Sequence, residues 1–104
     1  GTSLNDFVIY LKSEFLDYVY LQQNTFDEVD GATDDSRQRY MFDRIYEVLK
    51  SEFKVNSKDD ARRYFLDLRQ MFIDLNYLAM DSDAFKTQEK AIVNKIAERR
   101  VIHA

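Results

Sequence analysis

Residues 27–35 hold the densest group of carboxylates in the chain, arranged around Gly31, and clustered carboxylates are the usual ligands of Ca²⁺. An EF-hand loop with Gly31 at its sixth position needs carboxylates at its first and twelfth positions, where the sequence has Phe26 and Arg37. The Glu-x-x-His pairs of a carboxylate di-metal bundle are also missing from the sequence. The sequence therefore predicts no metal site.

Residues suited to catalysis are scarce in this sequence. The one histidine, His103, lies next to the end of the chain, where a side chain is seldom held firmly enough to act as a general base. Neither G-x-x-x-x-G-K-[ST] nor G-x-G-x-x-G occurs, so the phosphates of a nucleotide have no recognisable cradle. We expect no catalytic residue and no bound cofactor within these 104 residues.

The charge pattern argues against nucleic acid and membranes as direct partners. The net charge is −4 and the isoelectric point is near 4.9, and acids are interleaved among the Lys and Arg residues. Residues 1–35 hold eight acids and one lysine, whereas residues 36–104 hold eleven acids and fourteen Lys and Arg. The longest apolar run, residues 7–11, is far shorter than the ~20 residues of a membrane span.

The elements that position these residues are predicted to be helices. The chain has no Pro, only two Gly and 45% apolar residues, which indicates a single all-α domain over residues 1–104, a bundle of about four helices. Helical periodicity and Ser-x-x-Asp starts place the helices from Ser3 to near Asn24, from 33–36 to near Phe53, from Ser57 to the turn at 81–83, and from there to about Arg100, with a loop over 27–35.

Each predicted helix has one apolar stripe that we expect in the core. These residues are Phe7, Val8, Leu11, Phe15 and Tyr18 in the first helix, Met41, Ile45, Val48 and Leu49 in the second, Ala61, Tyr64, Phe65, Leu68, Met71, Phe72, Leu75 and Leu78 in the third, and Phe85, Ile92, Val93, Ile96 and Ala97 in the fourth.

Residues 20–30 differ from the rest of the chain in composition. The segment has no positive charge and places two Gln and one Asn between aromatic residues, Tyr20 and Phe26. One interpretation is a polar helix end with aromatic anchors in the core. The other is a functional segment, because core packing alone does not require this mixture.

The segment Leu21-Gln22-Gln23-Asn24-Thr25-Phe26-Asp27-Glu28-Val29-Asp30 closely resembles the LQQNAFxEVD motif of the catalytic A subunit (alpha chain) of V-type and A-type rotary ATPases. Residues 37–41 are similar to the helix start that follows this motif in the family. The resemblance implies the C-terminal helical domain of that subunit, without the P-loop domain that precedes it. A stand-alone helical protein-interaction module remains the alternative, and a glycine-rich phosphate loop upstream in the natural reading frame would discriminate between the two.

The resemblance also implies the setting in which the chain acts. ATP or ADP with Mg²⁺ is expected in the upstream nucleotide-binding domain, and non-catalytic B subunits and the central rotor shaft are the expected partners. The domain would lie in the cytoplasmic catalytic sector of a membrane-bound complex and couple ATP hydrolysis or synthesis to rotation and ion transport. Similarity to the beta subunit of F-type enzymes, whose corresponding aromatic residues pack against adenine, points to Tyr20 and Phe26.

We expect these 104 residues to fold without measurable nucleotide affinity, because they have apolar stripes and no phosphate-binding loop. Isothermal titration of the chain with ATP and Mg²⁺ should give no heat of binding. Micromolar affinity would contradict the assignment of nucleotide binding to another domain.

Overall fold

A computed structural model describes residues 3–30 and 35–102; the side chains of 22–30, 35, 36 and 38 are not part of that description. The helices are α1 (Leu4–Asp30), α2 (Asp35–Lys50), α3 (Lys58–Asn76) and α4 (Asp83–Arg99). There is no β-sheet in the described ranges, so the predicted all-α bundle of four helices is confirmed.

Three serines begin helices in the same way. At the starts of α1, α3 and α4, the Oγ atoms of Ser3, Ser57 and Ser82 each accept a hydrogen bond of 3.1 Å from the backbone N–H three residues later. Such a bond satisfies one of the four N–H groups that a helix leaves without a partner at its start. The Ser-x-x-Asp pattern therefore located two helix starts correctly, and Ser82 fulfils the cap predicted for the fourth helix.

The predicted end of the first helix near Asn24 is wrong, because α1 continues as helix to Asp30. No Gly or Pro occurs between Leu4 and Asp30, and Gln is a good helix former, so nothing in the backbone chemistry forces a break there. Of the predicted 27–35 loop, residues 27–30 are helical and residue 35 begins α2, whereas residues 31–34 lie outside the described ranges.

The second helix also ends at a different place from the one predicted. α2 stops at Lys50 rather than near Phe53, because Phe53 pairs with Arg100 in an isolated antiparallel bridge. Two backbone hydrogen bonds, of 2.7 and 2.8 Å, join residues 52–54 to 99–101. This pairing requires extended backbone, which ends the helix before the bridge begins.

The core lies mainly between α1 and α3, which form the most extensive helix contact in the described chain. The ring of Phe15 packs edge-on against Phe72 at 5.3 Å and against Phe65 at 6.5 Å. Phe53 adds a third edge-on contact, 5.6 Å from Phe65, and so joins the segment between α2 and α3 to the same cluster. Edge-to-face geometry is favourable because the positive edge of one ring faces the negative face of another.

Most of the predicted core is buried, with three corrections. Tyr18 is 37% exposed, and Val19, one position further, takes the core place with no exposure. Val93 and Ala97 are exposed as well, because they lie one helical step beyond the buried stripe of α4. The guanidinium of Arg69 covers the ring of Tyr18 at 4.0 Å, which explains why an aromatic residue is tolerated at that surface position.

An ion pair joins the end of α4 to the start of α3. Arg99 at the end of α4 donates two hydrogen bonds, of 2.8 and 3.0 Å, to the two carboxylate oxygens of Asp60 in the first turn of α3. The Asn56 backbone N–H also donates to Asp60, at 2.9 Å. The Arg99 and Asn56 hydrogen bonds hold the pKa of the Asp60 carboxyl below its usual range.

Substitution of Leu68 tests this core. Leu68 is fully buried on α3, and Leu68→Ala should lower the free energy of unfolding by about 2–5 kcal/mol because it leaves a cavity. Leu66→Ala on the same helix is the matched control, because Leu66 is 41% exposed and should cost less than about 1 kcal/mol. Equal losses in urea unfolding of the two variants would show that the assigned core face is wrong.

Candidate functional site

The site predicted from the sequence lies on the C-terminal half of α1. Tyr20 and Leu21 are both 62% exposed, so neither side chain is taken up by the core. The backbone of residues 22–30 belongs to α1, but the side chains of Gln22 to Asp30, including Phe26, lie outside the described part of the chain. Burial therefore does not explain the aromatic residue at position 20.

The continuous helix changes the geometry expected for Tyr20 and Phe26. If the helix ended near Asn24, as predicted, the chain could turn there and bring both rings to one adenine. In an unbroken α-helix, six residues turn the second position by about 120° from the first and advance it by about 9 Å. The structural condition for convergence is thus not met, and adenine packing by these two residues stays a prediction.

Tyr20 does line a groove between α1 and α2, with a volume of about 370 Å³. Its walls are almost entirely apolar side chains: Leu16, Tyr20, Phe42, Ile45, Tyr46 and Leu49, together with Asp17. Neither Phe42 nor Tyr46 is among the site residues predicted from the sequence. We define these seven residues as the α1–α2 groove.

Two stripes of α2 explain why this groove exists. Met41, Ile45 and Val48 face the core, with exposures of 8% or less. Phe42 and Tyr46 follow Met41 and Ile45 by one residue, so they are rotated by about 100° from the core stripe. They are 68% and 56% exposed, a high value for aromatic rings. This i, i+4 aromatic pair beside the core stripe is the signal by which the sequence could have identified them.

Two long cationic side chains fix the position of α2 relative to the other helices. Lys12 on α1 donates from Nζ to the carbonyl oxygens of Leu49 and Ser51, at the C-terminal end of α2. Arg37, near the start of α2, donates to the carbonyl oxygens of Asn76 and Leu78 at the end of α3. Each cation thereby satisfies carbonyls that a helix end leaves without partners. Helix α2, which forms one wall of the groove, is therefore held in place at both of its ends.

Charges of both signs lie at the groove: Asp17 on α1 is one of its lining residues, and the ammonium group of Lys50 lies 5.6 Å from the centre of the Tyr46 ring. Helix α1 contains six acidic residues and a single lysine, Lys12. Lys12 is turned inward towards the end of α2, and burial lowers the pKa of its ammonium group.

Two kinds of feature are not found among the described residues. They contain no group of three or more His, Cys, Asp or Glu side chains placed to hold a metal ion. Within the same ranges, no helix combines the length and apolarity needed to span a bilayer. His103 lies outside the description.

Comparison with known proteins adds evidence that spans nearly the whole sequence. The chain is 52% identical over 99 residues to the V-type ATP synthase alpha chain of Treponema denticola, covering 95% of this chain. It is 44% identical over 101 residues to the alpha chain of Borrelia hermsii, and 52% identical over 92 residues to alpha chain 1 of Treponema pallidum, covering 97% and 88% of this chain. The chain belongs to the V-type ATP synthase alpha chain family.

The resemblance carried by residues 20–30 is therefore confirmed, and it extends over all four helices. The chain spans only 17% of the length of the alpha chains of Treponema denticola and Borrelia hermsii. No family model matches the chain, and no solved structure matches it.

Adjacent residues of α2 test the division between core and groove. Met41 is 2% exposed and Phe42 is 68% exposed. In the 104-residue chain, Met41→Ala should cost about 2–5 kcal/mol of unfolding free energy, whereas Phe42→Ala should change it by no more than about 0.5 kcal/mol. Thermal and urea unfolding would measure both. A large loss for Phe42→Ala would mean that its ring is packed within the domain.

Proposed function

We propose that residues 1–104 form the C-terminal helical domain of a V-type ATP synthase catalytic subunit. In this role the domain converts nucleotide-dependent opening and closing of an upstream P-loop domain into displacement of the central rotor. The observation that carries the proposal is the sequence identity of 42–52% to alpha chains over nearly the entire sequence. That the chain spans 17% of such a relative favours a domain of a larger subunit over the alternative, a stand-alone interaction module.

The long first helix suits transmission of movement. α1 has 27 residues, about 40 Å of helix, and its first part is fixed on α3 by Val8, Leu11, Phe15 and Val19, all buried. Close-packed helices move as rigid bodies, so a rotation imposed at one end reaches the other end as displacement. The family motif lies on the part of α1 beyond these anchors, so it would move together with the core.

ATP or ADP with Mg²⁺ would be bound by the rest of the subunit, and the B subunits and the rotor shaft would be the protein partners. ATP binding, rotation and ion transport are thus activities that we propose for the complete complex, in a catalytic sector on the cytoplasmic side of the membrane. Two observations support the assignment of nucleotide binding to the rest of the subunit. The 104 residues have no phosphate-binding loop, and α1 and α3 pack together in a core that can transmit movement.

For the nucleotide site we propose adenine packing by Tyr20 and Phe26 as the contribution of this domain. Tyr20 supports the proposal through its exposure of 62%, which leaves the ring free of the core. Because positions 20 and 26 are about 120° apart on a continuous helix, one adenine ring would make its main contact with only one of them. Single substitutions can therefore separate the two contributions.

In the complete enzyme, Phe26→Ala or Tyr20→Ala should raise KM for ATP at nearly unchanged kcat. An aromatic contact of about 1 kcal/mol corresponds to roughly a fivefold change in affinity and leaves phosphate chemistry untouched. Steady-state kinetics of the assembled enzyme would measure both constants. Tyr10→Ala is the control, because Tyr10 is equally a surface aromatic residue, 56% exposed, in the N-terminal half of α1.

The adenine proposal is contradicted if both single variants keep the KM of the unsubstituted enzyme. Loss of folding in Phe26→Ala, with KM unaltered in enzyme that still assembles, would instead assign Phe26 to packing within the domain.

A further inference from the structure

We propose that a cleft at the start of α1 is a docking surface for the segment of the same subunit that leads into α1 from upstream of residue 1. The cleft lies between residues 4–12 of α1 and the segment 52–55, and it has a volume of about 490 Å³. We call it the N-terminal cleft. The inference rests on the proposed function, since that function puts the rest of the catalytic subunit upstream of this domain.

The first support is the apolar lining of the N-terminal cleft. Apolar side chains from three parts of the chain meet there: Leu4, Val8 and Ile9, Phe53 and Val55, and Val101. Ile9 is 56% exposed, so the domain leaves more than half of this side chain in water. A continuous apolar surface of this kind indicates a contact site, and covering it is favourable because apolar area is removed from water.

The second support is a backbone edge along the segment 52–55. The pairing of Phe53 with Arg100 uses the C=O of Glu52 and the N–H of Lys54. In an antiparallel pair bonded in this way, the N–H and C=O of Phe53 point away from Arg100. Among the described residues, neither group takes part in a backbone–backbone hydrogen bond. Such an edge can pair with the main chain of a further segment.

The contacts of Lys12 show on which side this edge lies. Lys12 on α1 donates from Nζ to the carbonyl oxygen of Ser51, and the same ammonium group lies 5.6 Å from the centre of the Phe53 ring. Ser51 precedes Phe53 by two residues, and alternate residues of an extended segment direct their carbonyls to the same side. The Phe53 edge therefore faces α1, across the N-terminal cleft.

The third support is the course of the chain. Leu4 and Asn5 begin α1 and both line the cleft, so a polypeptide that enters α1 passes directly beside it. From residue 4 to residue 12 the cleft follows α1 for about 12 Å, a length that about four extended residues span. The alpha chains of Treponema denticola and Borrelia hermsii are matched over only 17% of their length, so polypeptide is available to supply such a segment.

The tether, and not charge, selects this occupant. Glu52 and Lys54 bring opposite charges to the cleft, and the ammonium group of Lys12 is already bonded to carbonyl oxygens. The occupant is therefore expected to offer apolar side chains to the cleft and main-chain groups to the Phe53 edge. A segment joined directly to α1 has a high effective concentration at the cleft, which a separate molecule lacks.

Photo-crosslinking in the purified full-length subunit tests the proposal with a matched pair of positions. Ile9 and Tyr10 are neighbours and both are 56% exposed, but Ile9 is a lining residue of the cleft and Tyr10 is not. Ile9→benzoylphenylalanine should link to a peptide within about 15 residues upstream of residue 1, since connections inside a compact domain are seldom longer. Tyr10→benzoylphenylalanine should not form this link. The yield should not change on dilution, because the contact is intramolecular.

Hydrogen exchange in the same subunit supplies a second readout. Ile9→Asp places a carboxylate in the apolar cleft, and the amides of residues 52–56 should then exchange about tenfold faster, the change expected from returning half of an isoleucine side chain to water. Tyr10→Asp adds the same charge one residue further along α1 and should leave this exchange unchanged. Exchange around Leu68, which is fully buried on α3, should stay constant in both variants and shows that the domain remains folded.

Three results would overturn the docking surface. The first is that position 9 links only to a second copy or to a distant part of the subunit. The second is that positions 9 and 10 link equally to the upstream peptide. The third is that Ile9→Asp leaves the exchange of residues 52–56 unchanged.

Neither measurement depends on ATP turnover, so this inference and the proposed function can fail separately. If the links are missing in a subunit whose assembled complex hydrolyses ATP and turns the rotor, the docking surface is wrong and the proposed function stands. If the links form in a subunit whose assembled complex binds no nucleotide, the docking surface stands and the proposed function is contradicted.

Discussion

The packing of α1 on α3 through Phe15 is the interaction on which the rest of this structure depends. Phe15 contacts both Phe65 and Phe72, which are two turns apart on α3, and so fixes the direction of α1 as well as its position. Phe53 joins the same cluster from the segment after α2. A single group of aromatic rings therefore joins three parts of the chain. Its edge-to-face contacts are directional, so they favour one relative orientation of these parts more than non-specific apolar contact would.

The position of α2, and with it the groove, depends on the direction of α1. Once α1 is fixed, Lys12 reaches the C-terminal carbonyls of α2, and Arg37 holds the other end of α2 to the end of α3. These contacts hold α2 with its core stripe inward, which leaves Phe42 and Tyr46 facing away from the core. The groove is thus a consequence of how α2 is held, and the rings of Phe42 and Tyr46 in its lining remain more than half exposed.

The sequence predicted those features that depend on local chemistry or on a strong periodic pattern. Ser57 and Ser82 satisfy backbone N–H groups within their own helices, and the stripe through Leu68 is apolar over five turns, so neither needed information from elsewhere. The end of α1 could not be predicted in the same way. Gln and Asn between aromatic residues occur both at helix ends and inside helices. The helix propensities of Gln and Asn lie only a few tenths of a kcal/mol from those of most other residues, so they do not decide where the helix ends. Phe42 and Tyr46 could have been identified as an i, i+4 aromatic pair beside the core stripe of α2, but their place in a groove depends on where α1 lies, which no local pattern encodes.

The family motif lies on a continuous helix that is anchored in the core, and a distance measured along α1 tests this connection. The chain has no cysteine, so Ile9→Cys and Glu28→Cys would provide the two spin-label sites of a pulsed electron paramagnetic resonance measurement. Nineteen residues of unbroken helix separate the two Cα atoms by about 28 Å, so a continuous α1 should give a single narrow distribution near that distance. A distribution that is broad or centred well below it would show that α1 breaks near Asn24, and would contradict the rigid connection between core and motif.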